Sequence, residues 1–584
     1  MPIRAKMSHA RRARLWQLVY GFLFFCLILL LRLFYLQVDQ WLLLNKLGER
    51  NFLKTETILP IRGNFYDCNH TLLAANKPIF DLYWQGLGGS FSQYQEEIVK
   101  QVLQVVGDAD SQLAGLLEGL KKAERYARSF LLKQNVNFGQ LCKVSEQCSQ
   151  VPNLVIKSRF ERYYPHKNFA SHIVGYLSRV ENVGCDGLEK LFDQDLGGQL
   201  GYEMSVINST GRILRQRERR DAQAGQDLTL TLDYAVQRLA ESAFESDQTG
   251  ALIVMDPETG AIRALASYPN FDPNHFVQPI SESLWKEKFT VHSPLLNRAT
   301  AALYPPASTF KLVTVTAGLE EGVLTTESEF NCQGFIRFGG RKFLCQRRWG
   351  HGTMVLQDAL AHSCNILCFE AAKHLPIDTV ADYACRFGLG YKTDFLLPEK
   401  SGLVPTSHWK RVMKGEGWWP GDTLSVSIGQ SYLLVTPLQI ARMYGAVCTG
   451  FLVKPRILES EEIQREELNV SAPVLDFLRQ SMYSAVQKGT VWRLRHFKNF
   501  KIFAKTGTAQ TCSLNKEKTQ REHFEHAWLT GFFEYKEEKP LVLIVLLEYA
   551  GGSRPAILIA HRFLDSYQRF RETGIMPTPL YDQE

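Results

Sequence analysis

Leu15 to Leu31 is almost wholly apolar, broken only by Gln17, and Leu33 to Val38 carries the run beyond Arg32. That stretch is long enough to cross a bilayer if the Arg32 side chain reaches back to the interface. Ahead of it Arg4, Lys6, Arg11, Arg12 and Arg14 face no acidic residue. The bias predicts a cytoplasmic basic tail over 1–14, a membrane anchor over 15–38 and an exported body. No small-x-small cleavage site follows Leu31; bulky Leu33, Phe34 and Tyr35 stand there instead. An anchor is therefore expected, not a cleaved signal peptide. No later stretch is long and apolar enough to span again, so the chain reads as single-pass.

The 584 residues, 45% of them hydrophobic, give room for two or more domains. The formal charge is only +7. Without the five leader cations the remainder is nearly balanced, which leaves no nucleic-acid footprint. Residues 45–220 read as mixed, with a polar helical stretch near 94–133 and no convincing cluster of titratable groups. Arg212 to Arg220 reads as an exposed charged linker. From Gln226 the pattern tightens. Asp227 to Leu232 alternates like a strand, Ala235 to Phe244 reads as an amphipathic helix, and 251–255 with 262–266 forms a hairpin. Further strands fall at 501–504, 527–533 and 541–549, followed by a helix over 557–570. The early and late segments are expected to share one antiparallel sheet beside a helical middle, an α+β arrangement.

Three short motifs carry the chemistry. Ser308 and Lys311 follow Pro305-Pro306 at the start of a segment with helical apolar spacing. A serine there meets unpaired backbone N–H groups, and a lysine three residues on lies on the same helical face. Ser363-Cys364-Asn365 opens a second apolar helical run, and Lys505-Thr506-Gly507-Thr508 follows a short strand. Together they fit acyl transfer through serine, which needs a nucleophile, a base, a proton path and an oxyanion hole. Ser308 is the expected nucleophile and Lys311 the base. Ser363 is expected to relay a proton to the leaving nitrogen, with Asn365 orienting Lys311 or bonding the substrate amide. Lys505 sets the electrostatics of that relay. Thr506 and Thr508 are expected to hold a substrate carboxylate or peptide backbone, while Gly507 allows close approach. The oxyanion hole is expected from the backbone N–H groups of Ser308 and Thr508.

The order of these motifs resembles that of class B penicillin-binding proteins, single-pass D,D-transpeptidases of peptidoglycan synthesis. The resemblance covers nearly the whole chain. It includes Pro60-Ile61-Arg62-Gly63-Asn64-Phe65-Tyr66-Asp67, Gly187-Leu188-Glu189, Leu230-Thr231-Leu232-Asp233, Ile428-Gly429-Gln430, Val435-Thr436-Pro437-Leu438-Gln439 and Gly489-Thr490. His526-Ala527-Trp528 with Gly531-Phe532, and the lack of a long C-terminal extension, resemble the elongation branch more than the division branch. The resemblance implies a penicillin-recognising transpeptidase domain over 225–575 on a non-catalytic pedestal, or dimerisation-like domain, over 45–220, with the catalytic domain in the periplasm. It implies peptidoglycan strands with D-Ala-D-Ala stem peptides as substrate and acylation by β-lactams. It also implies a SEDS-type glycosyltransferase and other elongation or division proteins as partners at the inner membrane. The chemistry needs no cofactor. β-Lactamase or D,D-carboxypeptidase activity, or a non-catalytic scaffold, are the rival readings. Two departures stand out: Ala307 where the family usually has glycine before the serine, and Cys68-Asn69-His70 where it has an Arg-Asn-Gly turn.

Twelve cysteines, eleven of them after the anchor, cannot all pair outside the cytoplasm. Cys332 and Cys345 flank a hairpin turning at Gly339-Gly340, and with His351 and Cys364 they form a Cys3His set suited to structural zinc. Some elongation-type relatives are similar in carrying a structural metal beside this motif. A Cys332–Cys345 disulfide and free thiols are the other readings, and Cys142 with Cys148 is a second possible pair. His526 and Trp528 are expected either to line the substrate groove or to pack in the core. Trp418 and Trp419 read as a lid or a loop anchor.

Overall fold

The computed structural model describes residues 9–106, 113–148, 151–178, 182–208, 213–277, 279–511 and 520–576. Helix α1 (His9–Phe34) carries most of the stretch Ala13–Asp39, whose mean hydropathy is 2.3 and whose apolar window is unburied. Among the described residues it is the one helix long and apolar enough to cross a membrane.

The chain divides into two compact units, and neither is a continuous range. One comprises Met1–Ile61, Lys77–Glu161 and Gly198–Ala224. The other takes Arg62–Asn76 and Arg162–Gly197 out of the expected 45–220 block and joins them to Gly225–Glu584. In the first unit Gly201–Ile207 lies between Leu53–Ile58 and Ile213–Arg220 in an antiparallel sheet. The expected linker at 212–220 is thus a strand. All eight residues of Ile213–Arg220 are exposed, so no buried face imprints a period of two on the sequence. The helical stretch resolves into Gln93–Val105 and Leu113–Arg125, the former opened by a capping box at Ser92 and Gln95. Strand Ser129–Val136 takes up its end. Their apolar faces close over Leu82, Trp84, Val99 and Leu120. Cys142 is a free thiol. It shares the helix Phe138–Cys148 with Cys148, where six residues at about 1.5 Å rise each hold the Cα atoms too far apart for a disulfide.

The second unit is built, in chain order, from strands β1 (Gly250–Met255) and β2 (Ile262–Tyr268), helix α2 (Lys311–Glu320), four short strands β3 (Glu329–Cys332), β4 (Phe335–Phe338), β5 (Arg341–Leu344) and β6 (Gly352–Val355), helices α3 (Asn365–Ala372) and α4 (Pro437–Thr449), strands β7 (Phe500–Ala509), β8 (His526–Tyr535) and β9 (Leu541–Leu547), and helix α5 (Arg554–Thr573). The main sheet runs β2-β1-β9-β8-β7 and is antiparallel throughout, so early and late segments share it. Both faces are buried. In β9, Val542, Ile544 and Leu546 face one core, which contains Met443 and Tyr444 of α4. Leu543, Val545 and Leu547 face the other, which contains Ile559 and Phe563 of α5. Strict alternation of side chains between two apolar layers explains why these strands read as unbroken hydrophobic runs.

Two segments that carried the family resemblance, around Arg62 and Glu189, meet Arg162 and Tyr164 in this unit, contrary to the expectation that 45–220 holds no titratable cluster. Glu189, fully buried, accepts from Arg62 Nε and Arg162 Nε, both at 2.6 Å, and from the Tyr164 hydroxyl at 3.2 Å. Arg162 also donates to the Gly63 carbonyl at 2.7 Å. Their sequence separation hid the cluster. Arg62 keeps a second carboxylate, Asp193 at 2.8 Å, but removing Glu189 leaves the buried Arg162 guanidinium without an acid, so Glu189→Ala is expected to cost about 3–5 kcal/mol of stability, read by denaturant unfolding.

Candidate active site

Ser308 sits in a single 3-10 turn, Ala307–Phe310, that runs directly into α2. Several partners hold the turn. Ala307 N donates to the Gly429 carbonyl at 2.8 Å, Thr309 Oγ1 to the Pro306 carbonyl at 2.6 Å, and the Tyr444 hydroxyl to the Thr309 carbonyl at 3.2 Å. Ala307 is buried at φ 51°, a left-handed conformation that an L residue with a Cβ adopts at a cost of about 1–2 kcal/mol. Gly429 explains how it is enforced. A Cβ there would lie 2.1 Å from the Ala307 carbonyl oxygen, so the two backbones are in direct contact.

Lys311 is fully buried, with Nζ 2.7 Å from the Ser363 carbonyl, 2.6 Å from Asn365 Oδ1 and 3.3 Å from Ser363 Oγ. Lys505, 1% exposed, donates from Nζ to the same Ser363 hydroxyl at 2.7 Å. One hydroxyl therefore bridges two buried amines. Burial pushes the Lys311 pKa down, and burial together with the positive charge of Lys311 pushes that of Lys505 well below the ordinary lysine value. The arrangement disfavours two positive charges on the pair. Ser363 itself is at φ 57°, the second non-glycine residue of the site held in the left-handed region.

The third motif reaches the first through β7. A Cβ on Gly507 would fall 3.0 Å from Thr309 Cγ2 and 3.2 Å from the Pro306 carbonyl, so only a glycine lets the strand lie this close without displacing the turn. Thr506 Oγ1 donates to Thr490 Oγ1 at 2.9 Å, and Gln430 Nε2 to the Thr508 carbonyl at 3.3 Å. Ser308, Asn365 and Thr508 line one cleft of about 520 Å³. Trp528 is buried, and its Nε1 donates to the Pro305 carbonyl at 3.0 Å. His526 is also buried, edge-on to Tyr304. The core reading applies to both. Trp418 Nε1 donates to Thr423 Oγ1 at 2.8 Å, which anchors its loop, whereas Trp419 is exposed.

Beside Asn365 the four expected ligands converge. The ligating atoms of Cys332, Cys345, His351 and Cys364 all lie within 4.8 Å of one another. His351 Nδ1 is 3.5 Å from Cys332 Sγ and 3.6 Å from Cys345 Sγ, and Cys345 Sγ is 3.8 Å from Cys364 Sγ. The three thiols are free, so the Cys332–Cys345 disulfide does not form. A zinc tetrahedron with Zn–S of about 2.3 Å and Zn–N of about 2.0 Å has S···S edges of about 3.8 Å and S···N edges of about 3.5 Å, so the donor set fits that metal. Asn365 N donates to Cys345 Sγ at 3.5 Å, and Asn365 Nδ2 to the Leu344 carbonyl at 3.0 Å.

Residues 250–564 match the penicillin-binding protein transpeptidase domain. The chain belongs to that family. Residues 57–230 match the penicillin-binding protein dimerisation domain. The peptidoglycan D,D-transpeptidase MrdA of Escherichia coli K12 is 28% identical over 581 residues, covering 92% of this chain and 91% of the relative. MrdA of Acinetobacter baumannii is 29% identical, covering 90% and 83%. Among solved structures, Helicobacter pylori PBP2 in its complex with MreC has a TM-score of 0.76 at 27% identity, covering 90% of this chain and all of that one. A chain from a peptidoglycan synthase complex that coordinates polymerization and crosslinking has a TM-score of 0.73 at 30% identity, covering 95% and 98%.

In this penicillin-binding protein, the roles of three supporting residues escaped the sequence reading because they are long-range. The Tyr304 hydroxyl donates to Glu548 at 2.7 Å, and Arg298 Nε binds the same carboxylate at 3.1 Å, which ties the segment before Ser308 to the end of β9. Gly429 and Gln430 were legible only as a family string; they join the Ser308 turn to β7. The depressed Lys505 pKa has a signed consequence. Between its folded pKa and the ordinary value of about 10.4 the unfolded chain binds more protons, so stability climbs with pH and is lost as pH falls. One such group contributes a slope of up to about 1.4 kcal/mol per pH unit. Lys505→Met is expected to flatten that climb relative to the unmodified protein, read by denaturation between about pH 7 and 9.5.

Proposed function

We propose that the chain is a serine D,D-transpeptidase that cross-links peptidoglycan stem peptides during cell-wall synthesis and is acylated by β-lactams. The observation that carries this reading is the Ser363 hydroxyl joined to both Lys311 and Lys505 beside the cleft that Ser308 lines. A neutral Lys311 amine has two N–H groups, enough for its two shortest partners, the Ser363 carbonyl and Asn365 Oδ1, and one lone pair left to take a proton. Ser308 Oγ attacks the carbonyl of the penultimate D-Ala and its proton passes to Lys311. The N–H groups of Ser308 and Thr508 receive the developing oxyanion. The C–N bond breaks and the leaving D-Ala amine takes a proton through Ser363 Oγ, which Lys505 holds in place and whose electrostatics it sets through its 2.7 Å hydrogen bond. An amine from a neighbouring strand then attacks the acyl-enzyme and releases Ser308. Thr506 and Thr508 hold the donor's carboxylate or backbone.

On this reading residues 1–14 are a cytoplasmic tail, 15–38 the inner-membrane anchor, and the body faces the periplasm. The first unit serves as a non-catalytic docking element. The relatives' assemblies with MreC and within a synthase complex support elongation-type partners, a SEDS-type glycosyltransferase among them. Class A β-lactamases keep a deacylating glutamate after the second motif; Glu399, at a similar distance beyond Ser363, instead accepts from Thr393 Oγ1 at 2.8 Å. Cys332, Cys345, His351 and Cys364 would hold a structural zinc ion, which when bound would rigidify the wall of the cleft next to Asn365 and take no part in bond making.

Fluorescent penicillin is expected to label the purified protein covalently and to leave Ser308→Ala unlabelled. Labelling of both, or rapid release of hydrolysed penicillin, would overturn the reading. Metal analysis is expected to find about one zinc per chain, and His351→Ala to weaken retention at least about tenfold against a chelator. Metal-free protein with a Cys332–Cys345 crosslink would refute the zinc assignment.

A further inference from the structure

The hairpin beside the nucleophile carries a charge that the acylation chemistry does not use. Arg337, Arg341, Lys342, Arg347 and Arg348 follow one another with no acidic residue between Glu329 and Asp358. All five are exposed, and among the described residues none is in an ion pair. Lys342 Nζ lies over the Phe335 ring at 3.7 Å. A basic run of this kind is ordinarily a solvated face. Its position argues otherwise. Arg341, Lys342 and Arg348 line the same cleft as Ser308, Asn365 and Thr508, where Glu525 is the acid among the described lining residues. The hairpin is also fixed in place. β4 pairs with β5 along its whole length, Cys345 N donates to the Gly334 carbonyl at 2.8 Å, and the Leu344 carbonyl accepts from Asn365 at 3.0 Å. The cations are thus set on a rigid wall, at a defined place relative to the motif that contacts Lys311. Their field converges in a concave space, where like charges without partners raise the local concentration of an anionic ligand.

We propose that Arg341, Lys342 and Arg348 bind a free carboxylate of the stem peptide, one carried on a side branch away from the scissile amide. The proposal rests on the transpeptidase reading and adds a substrate preference to it. A guanidinium fork pairs with a carboxylate through two parallel N–H···O bonds and with a carboxamide far more weakly.

The test uses the full-length protein and two synthetic stem-peptide donors ending in D-Ala-D-Ala, identical except that the side carboxylate is free in one and a carboxamide in the other. The free acid is expected to be preferred about tenfold in kcat/KM at low salt, mainly through KM, with the preference shrinking as salt rises. In Arg341→Gln/Arg348→Gln the preference is expected to fall below about twofold, and in Arg341→Lys/Arg348→Lys only its salt-sensitive part should remain, because an ammonium keeps the charge and loses the two-point fork. Equal use of the two donors by the unmodified protein overturns the proposal. So does a Gln variant that loses both donors equally, because the cations would then serve the fold or a protein partner. Penicillin labelling of the unmodified protein is run in parallel. Failure to label breaks the transpeptidase reading itself, whereas labelling without discrimination breaks only the carboxylate subsite.

Discussion

Two buried lysines on one hydroxyl are the constraint around which the catalytic unit is built. Lys311 and Lys505 both bond Ser363 Oγ at 1% exposure or less. Two ammonium groups so placed repel each other in a medium that solvates neither, which water at a surface would relieve and a packed interior does not. The surrounding backbone offsets part of the cost, since the Ser363 and Cys364 carbonyls both point at Lys311. The price is local strain: Ser363 must adopt a left-handed conformation for its carbonyl and its hydroxyl to face the same amine. Burial and like charge acting together lower the pKa of both amines.

The architecture makes that placement possible. Lys505 comes from a strand at the edge of a sheet buried on both faces, while Lys311 opens a helix packed beside it and Ser363 sits in the turn just before α3. Close contact between strand and helix requires a residue without a side chain at Gly507. The segment leading to Ser308 is fixed from behind by Trp528 on the Pro305 carbonyl and by the Tyr304–Glu548–Arg298 bridge. The Cys/His cluster secures the opposite wall and, through Asn365, touches the same lysine.

What could be read from the sequence follows the range of each interaction. The three motifs that meet at the cleft were legible because each combines a polar side chain with its local turn or helix start. The five sheet strands were legible because burial on both faces writes long apolar runs. The metal-type cluster was legible because three of its four members flank one short hairpin. The Arg62–Glu189–Arg162 cluster was not, since its members are far apart in sequence and each resembles a solvated surface charge. The strand at Ile213–Arg220 was missed for the converse reason: it is held by its backbone ladder, and its side chains carry no buried pattern. His526 and Trp528 were ambiguous because aromatic residues serve grooves and cores equally well.

At both departures from the family pattern, a side chain occupies a left-handed position: Ala307 at φ 51° and His70 at φ 61°. Neither residue selects that conformation by itself. At Ala307 the enforcing contact is Gly429, more than a hundred residues later, and the strand that completes the cleft, with Lys505, comes later still. A chain synthesised only as far as Ser308 therefore lacks both the Gly429 contact that sets its turn and the Lys505 amine that bonds Ser363. The cleft acquires its geometry only near the end of synthesis, when the last strands of the sheet have been made.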